Sequence, residues 1–200
     1  MENEDQSAPT ISGEYWDNRY LNNETGWDMK QVSPPLKSYI DSLSDKDQAI
    51  LIPGCGSSYE AKYLLEKGFK KVTLIDLSPV VTDRLKEKYP NDTIRIINEN
   101  FFDHKAPYDL ILEQTFFCAL NPALREKYVE KSCELLNNHG KIAGVFFNKS
   151  FTETEPPFIA SDDEYRKLFQ PFFTFLKFEN CTNSIATRMG YEVAFEFEKN

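Results

Sequence analysis

The chain has 200 residues, 40% hydrophobic and 14% aromatic, enough to bury the core of one globular domain. Its net charge of −9 at pH 7 sets it against nucleic acid and anionic membrane as partners, because the average surface would repel either. The four cysteines, Cys55, Cys118, Cys133 and Cys181, form no CxxC pair, and with two histidines in the chain no metal-ligand spacing arises; free thiols point to a reducing, cytoplasmic setting.

Residues 1–13 are polar and acidic, with neither the basic start nor the apolar run of a leader, so a disordered tail is expected there and a single domain over 14–200. A short helix over 14–21 carries Tyr15, Trp16 and Tyr20, followed by a turn at Asn22-Asn23 and by Trp27. Pro34-Pro35 blocks a helix through that point and opens one over 35–43, with Leu36, Tyr39, Ile40 and Leu43 at helical spacing. Strands and helices then alternate. A strand over 49–52 ends at Pro53-Gly54; a helix over 59–67 is closed by Gly68; a strand covers 72–76. Ser78 caps a helix that begins with Pro79 and runs to 89. Strands over 94–97 and 109–113, a helix over 122–137, a strand over 141–147 and a helix over 162–169 follow. Residues 172–178 and 191–198 read as a final antiparallel pair. No apolar run approaches the roughly 18 residues that span a bilayer. The alternation predicts an α/β, Rossmann-like fold: a mostly parallel seven-stranded sheet, helices on both faces, and a C-terminal antiparallel strand pair.

Chemistry concentrates at strand ends. The first strand turns into its helix through Pro53-Gly54-Cys55-Gly56-Ser57-Ser58, where glycines let the backbone turn sharply and approach a ligand. The second strand ends at Asp76, twenty residues after Gly56, where an acid can accept both ribose hydroxyls of an adenosine cofactor. A dinucleotide fingerprint needs a third glycine, and Tyr59 stands there, which favours S-adenosylmethionine (SAM) over NAD. The fourth strand places Glu113 and Gln114 at the cleft, with Phe116 and Phe117 as pocket aromatics or core. Cys118 reads as a small buried hydrophobe and Cys55 as a residue fitting a tight turn; His104 and His139 fall in loops and should face solvent.

These pieces resemble the thiopurine S-methyltransferase family, which includes the plant thiol and halide methyltransferases. The resemblance covers Tyr15 to Glu192 and rests on Trp16-x-x-x-Tyr20, Gly26-Trp27-Asp28, Ile52-Pro53-Gly54-Cys55-Gly56, Leu74-Ile75-Asp76-Leu77-Ser78, Asn100-Phe101-Phe102-Asp103, and Thr115-Phe116-Phe117-Cys118-Ala119-Leu120 followed by Pro122 and Arg125. Pro156-Pro157-Phe158 is similar to the family's Gly-Pro-Pro-aromatic loop. The resemblance implies SAM as cofactor and a small soft nucleophile as acceptor: a thiol first, with halide, hydrosulfide, selenium or tellurium species as alternatives. A SAM-binding regulatory module without catalysis is the reading from another class.

By position, Trp16, Tyr20 and Trp27 would cover the cofactor, Gly54 and Gly56 would lie under its methionine end, and Asp76 would hold its ribose. Asn100 and Phe101 would border the adenine, and Gln114 would touch the cofactor. Phe116, Phe117, Pro157 and Phe158 would line the acceptor pocket. Glu113 and Asp28 are the candidates for a general base. The family commonly has Asp at 113, Tyr or Arg at 114, and Gly at 155, where this chain has Glu113, Gln114 and Glu155. A monomer is favoured.

Overall fold

The computed structural model describes residues 11–90, 94–149 and 156–200. Most of the expected tail lies outside these residues; Ser12 is already the cap of the first helix, its hydroxyl accepting from Tyr15 N. The elements in chain order are α1 (Gly13–Leu21), α2 (Pro34–Ser42), β1 (Ala49–Pro53), α3 (Tyr59–Glu66), β2 (Lys71–Asp76), α4 (Pro79–Lys88), β3 (Ile94–Asn98), β4 (Tyr108–Gln114), α5 (Arg125–Leu135), β5 (Leu136–Phe147), α6 (Asp162–Phe169), β6 (Phe173–Asn180) and β7 (Glu192–Lys199). Single 3-10 turns at Phe101–Asp103, Phe117–Ala119 and Pro122–Leu124 join them.

The strands form one seven-stranded sheet in the order β3-β2-β1-β4-β5-β7-β6. The pairs from β3 through β5 are parallel, while β7 runs antiparallel to both β5 and β6. Apolar residues of the central strands alternate between two cores, as expected of parallel strands covered on both faces. Leu51, Ile75, Ile111 and Ile142 belong to a cluster with Tyr128 of α5 and Tyr165 and Phe169 of α6. Ile50, Ile52, Leu74 and Leu110 belong to a second cluster with Ile40 of α2, Leu64 of α3 and Leu85 of α4.

The local signals act as their chemistry dictates. Ser78 Oγ accepts from Val81 N at the start of α4, and Pro79 occupies the first turn, where its missing N–H costs nothing. Ser161 caps α6 through Glu164 N. Gly68, with φ +88, ends the turn after α3.

The junction of α5 and β5 departs furthest from expectation. The helix expected over 122–137 ends at Leu135, and Leu136 already pairs with Tyr108. The next pair is Leu110 with Lys141, so residues 137–140 bulge opposite Asp109, whose Oδ1 accepts from Asn137 Nδ2 at 2.7 Å. Helical periodicity carries no signal for such a bulge.

Candidate active site

The carboxyl ends of the strands open onto one cavity of about 550 Å³. It runs from Glu99 and Asn100, beyond β3, across the β1 turn to Phe147 at the end of β5 and Arg188 in the β6–β7 loop. In open α/β sheets ligands bind in this crevice.

The β1 turn forms its floor. Gly54 and Gly56 adopt φ +54 and +49, and Ser58 adopts φ +43 as the residue before α3. A Cβ on Gly54 would lie 2.1 Å from Phe116 Cδ2, so the Phe116 ring sits directly against that glycine. A Cβ on Gly56 would lie 2.9 Å from the Tyr20 hydroxyl. The absence of side chains here is a packing requirement as well as a conformational one.

Asp76 stands beside this turn. Its Oδ2 accepts from Gly56 N at 3.0 Å and its Oδ1 from Ser78 N at 2.9 Å. Burial pushes its pKa up to about 6, against the lowering effect of those two backbone donors, and Asp17 raises it further. A carboxylate oxygen offers two acceptor positions, so one remains on each.

The rim is aromatic. Trp27 meets Trp16 at 5.4 Å and Tyr20 at 5.7 Å between ring centroids, both edge-on. Asp17, between these aromatics on α1, accepts from Ser78 Oγ and from Val80 N at 3.3 Å, which docks α1 on the start of α4. Asp28 lines the cavity, its Oδ2 accepting from Ser57 Oγ at 2.7 Å and from Tyr59 OH at 3.4 Å, its Oδ1 from Lys30 N at 2.7 Å. Gln114 lines it too, and its buried Oε1 has no hydrogen-bond partner.

Of the residues singled out in the sequence, Trp16, Tyr20, Trp27, Asp28, Gly54 and Gly56 line this cavity, as do Asp76, Asn100, Phe101, Gln114, Phe116 and Pro157. Three do not, and Glu113 is the main correction. It is fully buried, with Oε1 accepting from Phe116 N at 2.6 Å and Phe117 N at 3.0 Å, and Oε2 accepting from Tyr128 OH at 2.6 Å. Burial pushes its pKa up to about 7, against those donors. It braces the turn in which Thr115 takes φ +59, and it does not line the cavity.

Phe117 is core, packed between Tyr128, Phe146 and Tyr165. Phe158 is buried outside the cavity and contributes its carbonyl to Arg125 Nη2 at 3.1 Å. Glu155, the departure in the same loop, lies outside the described residues.

His104 also corrects expectation: it is buried, with Nδ1 2.9 Å from Glu99 Oε2 and Nε2 2.8 Å from Tyr108 OH. His139 is exposed, as expected. Cys118 donates to Thr115 O at 3.2 Å, and burial holds its thiol far above the usual range, in keeping with a packing role. Among the cavity residues that sequence reading did not assign are two buried charges. Glu60, at the start of α3, accepts from Ser33 N at 3.0 Å, and Arg188 is buried against Glu192. Neither stood out in the sequence: Glu60 lies between Tyr59 and Ala61, close to Lys62, and Arg188 sits in a loop between Thr187 and Met189. Among the described residues no cluster of histidine, cysteine or acid could hold a metal ion, and no helix is long and apolar enough to cross a membrane.

Comparison with known proteins decides the family. The profile described as Thiopurine S-methyltransferase (TPMT) matches residues 11–194. The chain belongs to the thiopurine S-methyltransferase family. It is therefore a SAM-dependent methyltransferase. Relatives in the family include a probable thiol methyltransferase 2 of Arabidopsis thaliana, 25% identical over 192 residues, covering 92% of this chain and 84% of the relative. A thiopurine S-methyltransferase of Photobacterium profundum is 28% identical over 177 residues, covering 80% and 83%. Among solved structures, a Burkholderia thailandensis 1,6-didemethyltoxoflavin-N1-methyltransferase with bound S-adenosylhomocysteine superposes with a TM-score of 0.77 at 15% identity over 100% of this chain and 98% of that one. That likeness confirms the Rossmann-like fold of this family member.

Proposed function

We propose that this thiopurine S-methyltransferase family member methylates a small thiol, with SAM laid across the β2, β1 and β4 ends and the acceptor over β4 and β5. The observation that carries the reading is Asp76, a buried carboxylate with one acceptor position left on each oxygen beside a glycine turn.

The residues fit the cofactor. Asp76 would take both ribose hydroxyls, Asn100 and Phe101 would border the adenine, and Gly54 and Gly56 would admit the methionine end. Gln114 Oε1, buried and unpartnered, calls for a donor from the ligand. Once bound, SAM supplies an electrophilic methyl on a positively charged sulfonium.

The chain's own work is positioning and exclusion of water. Trp16, Tyr20 and Trp27 close the rim and offer ring faces to a cation. Phe116 and Pro157 form the apolar acceptor wall. A thiol with pKa about 8.5 is partly ionised near neutrality, so no strong base is required. Asp28, the expected carboxylate that does reach the cavity, takes the proton of a thiol that arrives protonated. The partners are small molecules, the active species is a monomer, and the setting is cytoplasmic, a reading supported by the acidic surface and four free cysteines.

The test is calorimetry with S-adenosylhomocysteine and NAD, followed by labelled methyl transfer to a panel of thiols, thiocyanate and iodide. Binding of S-adenosylhomocysteine but not NAD, with transfer to thiols above the inorganic anions, is expected. Preferential transfer to the anions would overturn the thiol assignment.

A further inference from the structure

Arg188 is a cavity-lining cation that the functional reading leaves without a task. It is buried, and its three contacts come from three parts of the chain. Nη1 donates to Glu192 Oε1 at 3.2 Å, at the first residue of β7. Nη2 donates to the Trp27 carbonyl at 2.6 Å. The guanidinium lies 5.2 Å from the centre of the Phe147 ring, at the end of β5.

Glu192 is 1% exposed, so the pair is a buried ion pair and Arg188 offers no uncompensated charge to an anionic ligand. The planar fork instead grips two oxygens at once. One belongs to the rigid sheet. The other belongs to the segment that carries the Trp27 ring and the Asp28 carboxylate into the cavity.

Location decides which half of the reaction this serves. The sheet order sets Asp76 at the end of β2, with β1 and β4 between it and β5. With neighbouring strands about 4.8 Å apart, the end of β5 lies about 14 Å from that of β2. Arg188 therefore fastens the rim over the acceptor half of the cavity. The adenosyl half is fastened separately, by Asp17 on the start of α4.

We propose that Arg188 is the positioning residue that latches the Trp27–Asp28 segment over the acceptor, with Glu192 orienting its guanidinium. The assignment to the acceptor half rests on the thiol methyltransferase reading; the latch itself rests on the geometry alone.

The experiment separates the two. In a Trp16→Phe background Trp27 is the remaining tryptophan of the two in the chain. Arg188→Lys keeps a cation for Glu192 but replaces the fork with one ammonium. Acrylamide quenching of Trp27 in the ligand-free protein is expected to rise clearly in this variant at an unchanged fold by circular dichroism. With Trp16 restored, Arg188→Lys is expected to raise the acceptor KM about tenfold, as for loss of one charge-assisted hydrogen bond. Its affinity for S-adenosylhomocysteine should fall by clearly less than that, because Trp16 and Tyr20 still cover the cofactor.

Should Arg188→Lys not fold, the double variant Arg188→Met with Glu192→Met, which buries no lone charge, is read in the same way. Unchanged quenching overturns the latch. Equal weakening of cofactor and acceptor overturns its assignment to the acceptor half. A chain that binds no S-adenosylhomocysteine and methylates nothing counts against the functional reading, while the ligand-free quenching still decides the latch.

Discussion

Asp76 carries the most direct consequence at the scale of single residues. A ligand that donates two hydroxyls prefers its ionised form, yet burial pushes its pKa up to about 6. Cofactor binding should therefore release a proton, and affinity should rise with pH through about 6 and level off above it. Calorimetry of S-adenosylhomocysteine between pH 5 and 8, in buffers of different ionisation enthalpy, checks this. Asp76→Asn should flatten the profile and weaken binding by about 1.5–3 kcal/mol, the range for a hydrogen bond to a charged group. Asp76 and the two glycines were legible because strand-end motifs place them through local sequence. Glu113 was not. Its position at the end of β4 was read correctly, but the three donors that turn it inward come from Phe116, Phe117 and the distant Tyr128. His104 failed for the same reason: a loop position reveals nothing of the Glu99 and Tyr108 groups that satisfy it in the interior. Arg188 depends on Trp27, 161 residues away, a pairing that no periodicity marks.

Elements explain why the turn tolerates so little change. Gly54→Ala would have to displace the Phe116 ring and adopt φ +54 with a Cβ. We expect a stability loss of at least about 1 kcal/mol from the left-handed backbone alone and a larger loss of cofactor affinity, read by denaturant unfolding and calorimetry. Asp17→Ala tests the docking of α1. It removes the acceptor for Ser78 Oγ and Val80 N, so we expect about 1 kcal/mol of destabilisation and weaker cofactor binding with an unchanged sheet. An unaltered affinity would mean that α1 closes the rim without this anchor. Element types and order were readable from alternating apolar runs and from Ser, Pro and Gly punctuation. The end of α5 was not, because the bulge at residues 137–140 is set by the register of β5 on β4, a long-range property.

Across the whole molecule, buried acids make stability depend on pH. The pKa of Glu113 is near 7 in the folded chain against 4.5 for the free side chain, so folding favours the protonated form. Its contribution is fully present below about pH 4.5 and is lost as pH rises to about 7. Asp76 acts in the same direction, up to about 6. Denaturant midpoints should fall between pH 4.5 and 7 for this reason, and Glu113→Gln should reduce the slope; a slope unaltered by that substitution would place the titration elsewhere. The order of the strands has a consequence for synthesis. β7 follows β6 along the chain but lies between β5 and β6, so β6 leaves the ribosome before its neighbour in the sheet exists. Until then two strand edges stay open and Arg188 has no Glu192 to face. A nascent or truncated chain lacking β7 should present edges that recruit other chains or chaperones, and the methyl-transfer pocket should become whole only in the closing step of folding.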